Sequence, residues 1–120
     1  MSLYEKLGGA NAIQSLVYIF YNKILLDDRI NDFFRGTDMD KLIDKQKGFL
    51  TMVLGGPQQY TGKNLRDAHA PLLKMGLSDS HFDAVAEHLQ ATMVELGVGA
   101  DDIATVMNIA ESTRNDVLSR

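Results

Sequence analysis

Apolar residues in this chain return at steps of three and four from the first turn to the last, and no run keeps the two-residue alternation of a half-buried strand. That period admits helices packed on helices, so the chain is read as all-α. Glycines, prolines and capping residues divide the pattern. Ser2 and Glu5 have the spacing of a capping box for a short first helix that Gly8 and Gly9 stop. A long helix is expected from Ala10 or Asn11 to about Leu26, with Ile13, Val17, Phe20, Tyr21 and Ile24 on its inner face. DRINDFF adds a turn or two before Gly36 and Thr37 break it. Asp38 is then the expected N-cap of a helix carrying Met39, Leu42, Ile43, Phe49 and Leu50 on one face, which Gly55, Gly56 and Pro57 end.

GGPQQYTGKN is the longest loop. After it, NLRDAHAPLLK sets Leu65, Ala68, His69, Leu72 and Leu73 on one face, with Pro71 limiting its regularity and Gly76 ending it. Ser80 and Asp83 have capping-box spacing at the head of a long helix with an apolar stripe of Phe82, Val85, Ala86, Leu89, Met93 and Leu96. A last helix runs from about Ala100, with Ile103, Val106, Met107 and Ala110 inward and Val117 and Leu118 near its end. Four long helices and two short ones form the expected skeleton.

A chain of 120 residues, 45% of them hydrophobic, is one domain over residues 1–120 with enough apolar material for a single core. Twelve basic residues are scattered among 16 acidic ones, net −4, which lacks the clustered basic surface that binds nucleic acid. There is no cysteine, which removes disulfides and thiolate chemistry and fits a reducing compartment. The N-terminus has no apolar run of signal-peptide length, and nothing approaches the roughly 20 apolar residues of a membrane span. A soluble, cytoplasmic monomer without membrane insertion is expected.

Several chemistries fail on spacing. GGPQQYTGK has Gly56 and Gly62 six steps apart and Asn64 after Lys63, where a phosphate-binding loop needs five steps and a hydroxyl residue. DDRINDFFRGTDMD does not place carboxylates at the alternating positions of a calcium loop. No Glu-x-x-His pair exists for a di-iron bundle. Of three histidines, His81 and His88 lie off the centre of their helix's apolar stripe, about 10.5 Å apart along the axis, and read as boundary residues. His69 points inward among Leu65, Ala68, Leu72 and Leu73. Alone, it is either a hydrogen-bonded core residue or a metal ligand.

Two more polar side chains fall on inner faces. Tyr21 lies four residues from Val17 and three from Ile24, and Gln46 sits inside the apolar stripe of its helix. An unpaired buried amide or hydroxyl costs roughly 1–3 kcal/mol, so each needs a partner. They can satisfy each other and nearby backbone, or they can face a polar ligand with His69 approaching from the other side.

Tyr21 in FYNKIL, Phe33 and Phe34 before RGTDM, then DKLIDKQKGFL, GGPQQYTG and DAH, in that order, resemble the group I truncated haemoglobins over essentially the whole chain. The glycine pairs at Gly8–Gly9 and Gly55–Gly56 match that family's hinges. The resemblance implies a two-over-two helical sandwich enclosing haem b, with His69 as proximal ligand, Phe34 packed on the haem face and Tyr21 with Gln46 as the distal hydrogen-bonding pair. Leu42 stands where many globins carry a distal histidine. Lys45 is a candidate to reach a haem propionate, and Phe49 and Leu50 are placed to line an apolar gas tunnel or simply to fill the core. Thr113 stands where some relatives carry a histidine bonded covalently to a haem vinyl group, so that cross-link is expected to be absent. The absence of tryptophan favours group I over groups II and III.

The function implied is reversible binding of dioxygen, nitric oxide and carbon monoxide. One reading makes the chain an enzyme that turns nitric oxide into nitrate with its bound dioxygen, an external reductase restoring the iron because no flavin or nicotinamide domain is present. A second makes it a storage, delivery or sensing module. A third is a haem-free helical interaction domain in which Tyr21, Gln46 and His69 satisfy one another.

Overall fold

The computed structural model describes residues 3–34, 38–54 and 69–119. Helix α1 (Leu3–Leu7) passes through Gly8 and Gly9 into α2 (Ala10–Leu25). Both glycines have positive φ, 114° and 70°, a conformation that costs a residue with a Cβ, and their amides bond back to the carbonyls of Glu5 and Tyr4. The two helices therefore join through this turn without a longer spacer. The Tyr4 N–H donates to the Leu54 carbonyl at 2.8 Å, which docks α1 on the end of α3 (Met39–Val53).

The expected inner face of α2 is buried in full, and Leu16 joins it. A corner follows, closed by a 3-10 turn over Asn31–Phe34 with Ile30 buried beneath it. Asp38 caps α3: its side chain accepts the N–H groups of Asp40 and Lys41 at 3.1 and 3.3 Å. The Ser2 cap, the break at Gly36 and Thr37, the stops at Gly55, Gly56 and Pro57, the long loop, and Leu65 and Ala68 lie outside the described residues.

Residues 69–73 are helical and turn at 74–76, where Gly76 has φ 94°. Then come α4 (Asp79–Glu95), α5 (Ala100–Glu111) and α6 (Arg114–Val117). Three expectations are corrected here. The cap of α4 is Ser78 rather than Ser80, and its partner three residues on is His81, whose ring nitrogen takes the place of the usual glutamate oxygen. The last helix is two: Ser112 and Thr113 donate their hydroxyls to the carbonyls of Ile109 and Ala110, and the helix ends where those side chains compete with its backbone bonds. Leu96 lies past the end of α4 and is 42% exposed rather than inward.

Helix α2 packs against both α3 and α4, α4 packs against α5, and α3 reaches α5. Two helix pairs thus enclose one core in which Val17, Ala84, Thr92 and Met93 have no exposure. Burying a side chain such as Val17 or Met93 contributes about 1.5–3 kcal/mol. Thr92 is tolerated because its hydroxyl donates to the His88 carbonyl at 2.7 Å. Among the described residues no helix is long and apolar enough to cross a membrane.

Candidate functional site

A cavity of about 260 Å3 opens between the two helix pairs. Its floor is α2, through Phe20 and Ile24, and the corner adds Ile30, Phe33 and Phe34. Helix α3 supplies Lys45, Gln46 and Phe49; the 69–73 turn supplies His69 and Leu72; α4 supplies His81, Phe82, Val85, Ala86 and Leu89. Ala110, Thr113 and Val117 close the far end. These residues reach one space because the apolar stripes of four helices, each wider than a single contact row, converge there.

Of Tyr21, Phe34, Leu42, Lys45, Gln46, Phe49 and His69, five line this cavity: Phe34, Lys45, Gln46, Phe49 and His69. Tyr21 is not on the surface of the cavity. It is 3% exposed with its hydroxyl oxygen shut from water, and its ring meets Phe34 edge-on with centroids 6.0 Å apart. The side chain of Leu42 lies outside the described residues. Leu50 is a core residue, 1% exposed, and does not line the cavity, whereas Phe49 does.

His81 was missed. Its stripe position on α4 suggested a boundary residue, and it is half-buried, yet it lines the cavity with its ring edge-on to Phe33 at 4.8 Å between centroids. The signal available was Ser78 three residues before it, which marks the first turn of a helix and so a side chain tied to the helix head. Thr113 also lines the cavity, its hydroxyl donating to the Ala110 carbonyl at 2.6 Å.

Two charged clusters hold the walls in place. At the corner below Ile30, Asp27 receives Arg29 through both backbone and guanidinium, and His88 Nε2 approaches its Oδ2 at 2.6 Å. The Arg29 guanidinium beside it holds the Asp27 carboxyl well below the usual carboxylate range. At the far end, Arg114 pairs with Asp79, Asp83 and Glu111 and sits over the Phe82 ring at 4.4 Å. Arg114 likewise lowers the Glu111 carboxyl.

The lining is aromatic and aliphatic except for Lys45, Gln46, His69, His81 and Thr113, which suits a flat, largely apolar ligand held by a few polar contacts. Among the described residues no three histidine, aspartate or glutamate side chains group to hold a bare metal ion. A histidine such as His69 on an apolar wall fits a metal that brings its other ligands in a macrocycle.

Comparison with known proteins agrees with this geometry. The bacterial-like globin family matches residues 2–119. A group 1 truncated haemoglobin from Tetrahymena pyriformis is 47% identical over 119 residues, 99% of this chain and 96% of that one. One from Synechocystis sp. is 47% identical over 122 residues, 99% of this chain and 98% of that one. Among solved structures, the 2/2 haemoglobin from Synechococcus sp., in the cyanomet state with covalently attached haem, superposes with a TM-score of 0.93 at 48% identity over 100% of both chains. Truncated haemoglobin from T. pyriformis in its Fe(III) form gives a TM-score of 0.87 at 47% identity over 98% of each. The two helix pairs are thus the all-α two-over-two sandwich expected of the sequence, and the chain belongs to the bacterial-like globin family, within the group 1 truncated haemoglobins.

Proposed function

We propose that the cavity holds haem b with His69 as its protein ligand, and that the chain binds dioxygen, nitric oxide and carbon monoxide there reversibly. The observation that carries this reading is the apolar cavity between the helix pairs with His69 on its lining. Haem, when bound, would supply an iron for diatomic gases and the redox chemistry by which dioxygen oxidises nitric oxide to nitrate at the cost of one electron per turnover. Everything else falls to the chain. A neutral imidazole at His69 would offer a nitrogen lone pair to the iron. Phe34 and Phe49 pack on the macrocycle and keep water out. Gln46 donates from the cavity wall to the bound gas, and Tyr21, one layer deeper beside Phe34, supplies a second donor. Leu42 precedes Gln46 by four residues in the sequence as the apolar position of the pair, and Lys45 pairs with a propionate.

Hydrogen bonds to a partly charged acceptor are worth roughly 1.5–3 kcal/mol each, enough to slow gas escape tenfold per bond. Retention of that kind suits nitric oxide dioxygenation, with a separate reductase returning the electron, in a cytoplasmic monomer. The test is stopped-flow mixing of the oxygen-loaded protein with nitric oxide. Nitrate formed within milliseconds, with repeated turnover when a reductant is supplied, establishes the enzyme; a slow reaction leaves gas storage, delivery or sensing as the function.

A further inference from the structure

Two histidines line the cavity, and the reading above uses only His69. We infer that His81 is a carboxylate-binding residue of the cavity, its Nε2–H donating to a propionate of the porphyrin. This rests on the haem reading and supplies a partner for the part of that ligand that apolar walls cannot accept, since a carboxylate removed from water without a donor is costly.

The chemistry follows from how the ring is held. His81 is the third residue of α4, and its Nδ1 accepts the backbone N–H of Ser78 at 3.0 Å, with the Ser78 hydroxyl oxygen 3.2 Å from the same nitrogen. A backbone N–H only donates, so Nδ1 carries no proton and the neutral ring bears it on Nε2. The two ring nitrogens point in nearly opposite directions. With Nδ1 spent on the helix head and the ring set against Phe33, the group left to the cavity is an N–H donor, and no described residue accepts from it. A protonated Nε2 has no lone pair for iron, which separates His81 from His69. The same donor suits an anion, and the two propionates are the anionic groups of the macrocycle. Lys45, exposed on α3 and also on the lining, offers a second donor, this one charged, so two carboxylates meet one donor from each of two helices.

The test exploits the capping box. Gln and Glu both preserve it at this position, so H81Q and H81E keep the helix head while one retains an N–H donor and the other places a like charge beside the propionate. Haem transfer to a large excess of an acceptor apoprotein is timed for wild type and both variants, each loaded with haem or with haem dimethyl ester. H81E is expected to lose haem at least about tenfold faster than H81Q, with the two variants equal when loaded with the ester. Equal rates with haem, or the same difference with the ester, overturn the assignment. If wild type retains neither compound, the haem reading itself fails and takes the inference with it. Independently, nitrogen-15 NMR of the haem-free chain is expected to show the Nε2–H tautomer at His81; an Nδ1–H signal overturns the assignment whatever the variants do.

Discussion

Gln46 and His69 show what a single residue can disclose. An amide in the middle of an apolar stripe and an inward histidine are costly unless partnered, and both lie on the cavity. Tyr21 obeyed the same logic but stands one layer back, against Phe34. If it donates to the bound gas, Tyr21→Phe speeds dioxygen release about tenfold or more, from loss of one charge-assisted donor; an unchanged off-rate in stopped flow removes Tyr21 from that role. Thr113 makes a second residue-scale prediction. Its side chain is a hydroxyl bonded to Ala110, with no imidazole to attack a vinyl group, so haem is expected to extract fully into acidified butanone. Haem left on the chain contradicts this. Periodicity alone does not place His81, because it reports only which way a side chain faces along its helix. What decided its place was a hydrogen bond from Ser78, which fixes the ring relative to the helix end.

At the scale of elements, the sequence was most legible where local chemistry decides and least where tertiary contacts do. Gly8–Gly9 and Asp38 set the ends of α1, α2 and α3 close to where the pattern put them, because positive φ and an N-cap carboxylate act over a few residues. Asp38→Ala is expected to cost about 1 kcal/mol in urea unfolding. The cap of α4 was misread because Ser78 and Ser80 both qualify and histidine is an unusual third-position acceptor. The division of the last helix depended on back-bonded hydroxyls, which the apolar stripe does not register. The corner cluster has a pH signature. Arg29 and His88 stabilise ionised Asp27, so its folded pKa lies below its ordinary value of 3.8, and the stabilisation is complete above that value and disappears as pH falls further. Asp27→Asn should therefore lower stability by about 1 kcal/mol at pH 7, with the difference from wild type shrinking below about pH 4. A difference that persists undiminished at pH 2 contradicts the ionic origin.

For the whole molecule, the helical period was enough to give the class, since only helices can bury stripes of that spacing. It did not give the cavity. That arises because α2, the corner, α3 and α4 turn large aromatic side chains toward one volume, and the convergence depends on how the helices cross. Core integrity is global: Met93, with no exposure, is expected to cost about 2–5 kcal/mol when cut to alanine, measured by urea unfolding. Ligand binding is global too, because a group held by the folded chain alone raises its melting temperature by an amount that grows with the logarithm of free ligand concentration over Kd.

The first measurement is an optical titration with haemin of wild type and of His69→Gly, the latter with and without free imidazole. Wild type should saturate at one haem per chain with the spectrum of a histidine-ligated globin. His69→Gly should lose that spectrum and regain it when imidazole is added. A variant with the wild-type spectrum in the absence of imidazole, or a wild type that binds no stoichiometric haem, would contradict the assignment of this cavity as a haem site anchored at His69.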